Sequence, residues 1–118
     1  MNLSKISYLL MVCFLVSHPS WTKTQVPTSL KIQVIDTSEQ PVAAAEVVLY
    51  ITEENYRYQK NAFAKGETDK NGRVTFRRLK PVPFFIDARN ELKKNDGLAA
   101  MTDSLQKNRI NKVVVLIE

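Results

Sequence analysis

Tyr56, Arg57, Tyr58 and Lys60 are the residues whose types and spacing first suggest chemistry. Two phenol rings, a guanidinium and an ammonium in one short stretch make a surface that stacks and hydrogen-bonds, as aromatic-cationic loops do with sugars or nucleobases. The same side chains more often lie over the edge of a sheet and seal it. Oxygen clusters come second. Asp69-Lys70-Asn71-Gly72 opens like a calcium loop, but Gly72 arrives two residues early and no glutamate follows where the loop needs one. A plain turn is the better reading. Asp87, Asn95, Asp96 and Asp103 could converge at one end of a fold and hold calcium, yet coordination number sets a bar that loop polarity alone does not meet.

Other chemistries are removed with the leader. Lys5 precedes the apolar run Tyr8–Val16, and Ser17, His18, Pro19 and Ser20 end it. A spanning helix needs about 20 apolar residues, and this run is shorter. Residues 1–20 therefore read as a secretory signal peptide, with cleavage between Ser17 and Thr24, against the competing reading of a retained anchor. Lipidation at Cys13 does not fit, because Met11-Val12 precede it and Phe14-Leu15-Val16 continue the apolar run. Cys13 and His18 are the only cysteine and histidine in the chain. Their loss leaves no thiolate or imidazole for zinc, nucleophilic or disulfide chemistry. Carboxylates, lysines, tyrosines and hydroxyls remain, and no metal or other cofactor is expected.

These groups must be positioned by one domain without a disulfide. Lys and Arg number 17 against 12 Asp and Glu, or 16 against 12 without Lys5. The excess is mild and spread out; it is compatible with polyanionic envelope neighbours, but a solvated surface with no specific partner is the better reading. Residues 21–29 read as an exposed lead-in. Leu30, Ile32 and Val34 alternate with polar residues as a strand, and Asp36–Pro41 is a turn. Ala45–Ile51 is a second strand, with Tyr50 on its outer face keeping its hydroxyl in water. Glu53–Asn61 departs from the alternation and reads as a loop rather than the alternative, one helical turn. A strand over 63–68 leads through Asp69-Lys70-Asn71-Gly72 into Arg73–Arg77 as a hairpin, with positive φ at Gly72. Phe84–Ala88 is a buried strand in which Asp87 must point outward or find a partner. Asn95-Asp96-Gly97 reads as a turn and Ala99-Ala100-Met101 as a short strand. Lys112–Ile117 is apolar on both faces, which predicts an interior strand. About seven short strands with frequent turns imply an all-β, antiparallel Greek-key β-sandwich over residues 30–118.

Val34-Ile35-Asp36 through Gln40-Pro41-Val42-Ala43-Ala44-Ala45-Glu46-Val47-Val48-Leu49-Tyr50 resembles the opening of carboxypeptidase regulatory-like domains. Thr68-Asp69-Lys70-Asn71-Gly72-Arg73-Val74-Thr75-Phe76, Leu79 and Phe84–Ala88 are similar to their central turn and following aromatic strand. The resemblance spans Leu30 to Ile117 and implies a transthyretin-like (prealbumin-like) sandwich. It departs at Ala44, where the family usually has glycine. Two activities within that superfamily do not carry over. Hydroxyisourate hydrolases use histidines and a Tyr-Arg-Gly-Ser tail, whereas this chain ends Val115-Leu116-Ile117-Glu118. Adhesin stalk modules crosslink a first-strand lysine in the core, whereas Lys31 lies opposite Leu30, Ile32 and Val34.

The reading that results is a non-catalytic exported module, periplasmic or at the cell surface. It engages an envelope protein or glycan through Tyr56, Arg57, Tyr58 and Lys60. Nucleic acid is not expected as a partner, and membrane contact is expected only through the leader before cleavage. The alternatives are a purely structural domain and, behind it, an enzyme using carboxylate or tyrosine chemistry.

Overall fold

The computed structural model describes residues 25–95 and 101–118. The leader, Asp96-Gly97 of the expected turn and Ala99-Ala100 of the expected short strand lie outside them. Among the described residues, seven strands form two facing sheets. β1 (Ser29–Ile35), β4 (Arg73–Phe76) and β7 (Ile110–Leu116) make one, in the order β4-β1-β7. β2 (Glu46–Tyr50), β3 (Ala64–Glu67), β5 (Phe85–Asn90) and β6 (Lys93–Lys94) make the other, in the order β3-β2-β5-β6. The sandwich follows from period-two alternation. Leu30, Ile32 and Val34 from β1 meet Val47 and Leu49 from β2 and Ile86 and Ala88 from β5, all fully or almost fully buried.

Several local expectations change. The turn at residues 69–72 forms as read: Asp69 Oδ1 accepts from the N–H groups of Asn71 and Arg73, and Gly72 has φ 72°. It does not close a hairpin, because β3 pairs with β2 and β4 pairs with β1. The turn carries the chain from one sheet to the other. Gly72 sits where this corner meets β1. Its N–H bonds back to Asp69, its carbonyl accepts from Val34, and a Cβ there would lie 2.7 Å from the Val34 carbonyl oxygen. The corner is fastened by Thr68, whose buried hydroxyl accepts from Ala45 N–H and donates to the Val42 carbonyl.

β7 is an edge strand rather than an interior one. It runs parallel to β1 in full register, Ser29 opposite Ile110 through Ile35 opposite Leu116. Val115 and Ile117 face the core, while Ile110 and Val114 are each more than half exposed. Its apolar outer face does not mark burial; the other pairs of the sandwich are antiparallel and this one is not. The lead-in also ends earlier than expected, since Thr28 and Ser29 are buried and Ser29 already belongs to β1.

The stretch read as a loop contains a short helix, α1 (Glu53–Tyr58). Thr52 caps it by accepting from Asn55 N–H at 3.1 Å, and Glu53 and Glu54 occupy the first turn. Gln59, at φ 52°, ends it in the left-handed conformation, with N–H groups of Gln59 and Lys60 returning to Tyr56 and Asn55 carbonyls. Strand alternation says nothing about such a segment; the cap and the charge order were the signals that could have found it.

Candidate functional site

α1 lies on the outer face of the four-stranded sheet, and that placement divides the aromatic-cationic residues into two groups. On β2 and β5 the register sets Val48 opposite Asp87, Tyr50 opposite Phe85 and Glu46 opposite Arg89. Tyr56 drops from α1 onto this face. Its ring stacks on Phe85 at 5.7 Å between centroids and meets Tyr50 edge-on at 6.1 Å. Tyr56 therefore covers the sheet, as the sealing alternative requires. It also covers the Tyr50 ring, which is packed between the sheet and the helix and leaves the residue only 4% exposed. Burial, and next the charge of Asp87, pushes the Tyr50 phenol above its ordinary range, so it holds its proton more firmly.

Arg57, Tyr58 and Lys60 face solvent. Tyr58 is 66% exposed and Lys60 Nζ stands 5.7 Å from its ring centroid. Arg57 pairs with Glu53 one helical turn back at 2.8 Å, and Lys60 reaches Glu54 at 3.5 Å. Both pairs are exposed, so each contributes little to stability and can be exchanged for a ligand at low cost. Between α1 and the end of β5 lies a hollow of about 260 Å³ whose walls include Tyr56, Arg57, Asp87 and Arg89.

Asp87 finds the partner its burial requires. Its carboxylate accepts from Arg89 Nε at 3.0 Å, and this bond holds the guanidinium above its usual pKa. Asn95 is committed to structure: its side chain accepts from Ala88 N–H and donates to the Ile86 carbonyl, continuing the ladder along β5. Asp96 lies outside the described residues. Among those described, no three His, Cys, Asp or Glu side chains gather as a metal site. Asp87 is thus paired with Arg89, and Asn95 with the backbone of β5. Lys31 lies on the outer face of β1, beside Lys112.

No family model and no curated protein matches the sequence. Solved structures do. The TIE protein of Bacillus anthracis superimposes with a TM-score of 0.54 at 19% identity, over 78% of this chain and 17% of that one. BcpA, the major pilin subunit of Bacillus cereus, gives 0.52 at 14% identity, over 79% of this chain and 30% of that one. A chlorocatechol 1,2-dioxygenase from Pseudomonas putida superimposes more loosely, at 0.46 and 12% identity, over 83% of this chain and 62% of that one. The first two share the β-sandwich fold with this chain, which spans less than a third of either.

Proposed function

We propose that the chain is a non-catalytic exported module that docks onto an envelope protein or glycan through Arg57, Tyr58 and Lys60. One observation carries this reading: neighbouring rings on α1 are used oppositely. Tyr56 anchors the helix to Phe85 and Tyr50, while Tyr58 stands in solvent beside a cation. A rigidly anchored element presenting an exposed aromatic and an arginine has the composition of a binding hot spot. The resemblance to carboxypeptidase regulatory-like domains and the leader pattern of residues 1–20 support an accessory role outside the cytoplasm. The likeness to a pilin subunit accords with it.

The test uses Arg57→Ala with Tyr58→Ala in one protein. Isolated envelope from the native host, separated into protein and glycan fractions, is passed over immobilised wild type and variant. The reading requires a bound component that the variant fails to retain while its melting temperature stays within a few degrees of wild type. Equal retention by both proteins would remove the helix patch and leave a structural role.

A further inference from the structure

The sheet opposite α1 carries a different kind of surface. On its outer face the register sets Lys31 directly between Thr75 and Lys112, and Gln33 between Arg73 and Val114. Lys31, Gln33, Arg73, Lys112 and Val114 border one open hollow of about 330 Å³. Three cations thus share a small area, and no acid among the described residues lines it. The ion pairs Arg57–Glu53, Lys60–Glu54 and Arg89–Asp87 lie at the helix and on β5, on the other sheet. Asp69 is the acid that feels Arg73 and Lys31, but its carboxylate is already bonded to two turn N–H groups.

Protection of an exposed edge accounts for a lysine on β7. It does not account for Lys31, which stands on the central strand directly opposite Lys112. Like charges opposite each other across two strands destabilise a sheet. A surface that keeps this arrangement is relieved when an anion lies across it. Neighbouring strands are about 4.8 Å apart, and diagonal positions on neighbouring strands about 7–8 Å. Three cations on adjacent strands therefore suit an anion that carries charge at more than one point. Arg73 can take a phosphate with two parallel N–H bonds, and the lysines act as point charges. Gln33 and Thr75 add neutral donors and acceptors for hydroxyls. From this geometry we infer that the outer face of the β4-β1-β7 sheet binds a linear phosphodiester-linked glycan or polyol. The surface uses neither α1 nor the hollow beside it, so it stands or falls separately from the helix patch.

The probe is a labelled glycerol phosphate oligomer, followed by fluorescence anisotropy on the full folded chain at several salt concentrations. Lys31→Gln, Arg73→Gln and Lys112→Gln together should weaken binding by at least about tenfold and reduce the salt slope by about two to three. Lys65→Gln, Lys80→Gln and Lys93→Gln together remove the same charge elsewhere and should leave binding within about twofold, since only local contacts would matter. Circular dichroism establishes that both variants fold; should the first fail, Lys31→Gln and Lys112→Gln are compared singly against Lys65→Gln and Lys80→Gln. The inference is overturned by absent binding to wild type, by equal losses in the two triple variants, or by retained binding in the first. Equally tight capture of polygalacturonate or oligothymidylate would also overturn it, by showing that any polyanion suffices.

Discussion

Tyr56 and Tyr58 are two residues apart and identical in type, so composition treats them alike. Only the helical turn separates them, placing one ring over Phe85 and the other in solvent. Tyr56→Ala should lower stability by roughly 1–2 kcal/mol, because the ring is half-buried and its loss uncovers apolar surface on β2 and β5. Tyr58→Ala should change it by less than about 0.5 kcal/mol, as exposed substitutions usually do. Denaturant melts of the two variants check this, and equal losses would mean that both rings pack. The buried phenol beneath Tyr56 gives a pH signature. Folding raises the Tyr50 pKa from its ordinary 10.0, so the unfolded chain releases that proton first. Its contribution to stability is then complete below pH 10 and is lost as pH rises through the folded value. Ultraviolet titration of phenolate should show a step above pH 10 that Tyr50→Phe removes. Asp69 has the opposite sign. Bonds from Arg73 and Asn71 N–H lower its pKa from 3.8, so what it contributes is present above that value and is lost as pH falls through the folded one.

Turns and strand edges are the elements where local pattern and tertiary outcome part. Ala44 stands where the resemblance calls for glycine, and its φ of 57° supplies the reason. The left-handed region costs a residue with a Cβ about 1–2 kcal/mol, offset in part by the greater unfolded freedom of glycine. Ala44→Gly should therefore stabilise the protein by about 0.5 kcal/mol. Gly72→Ala should do the reverse and cost on the order of 1 kcal/mol or more, from the strained φ and the crowding against Val34 and Pro41. Thermal melts of both variants test the pair; a Gly72→Ala protein as stable as wild type would mean that the corner rearranges. β7 presents a separate liability. With Ile110 and Val114 exposed along an edge, Lys112 is the charge on its outer face. Lys112→Val should raise self-association, visible as a concentration-dependent increase in sedimentation coefficient. A variant that stays monomeric at all concentrations would show that the edge is guarded by something else.

At the scale of the whole molecule, the domain is a rigid frame with two outward faces of different chemistry, one aromatic and the other basic. The export expected from residues 1–20 gives those faces a setting. N-terminal sequencing of the protein from its native host should find a mature end between Ser17 and Thr24. A chain that still begins at Met1 would defeat that expectation and the extracytoplasmic role built on it.

The sequence alone determined the core faces of β1, β2 and β5. The alternation of Leu30, Ile32 and Val34, of Val47 and Leu49, and of Phe84, Ile86 and Ala88 is a local property that burial must satisfy in any sandwich. It also located the turn at Asp69–Gly72, because Asx bonding and a positive φ are decided within a few residues. Which strand lies beside which was not legible in that way. Residues 69–72 look the same whether the chain turns back in its own sheet or crosses to the facing one. The apolar outer face of β7 looks the same whether the strand is interior or at an edge. Pairing partners are chosen by contacts distant in sequence, and only the tertiary structure set Lys31 beside Lys112 and laid Tyr56 over Phe85.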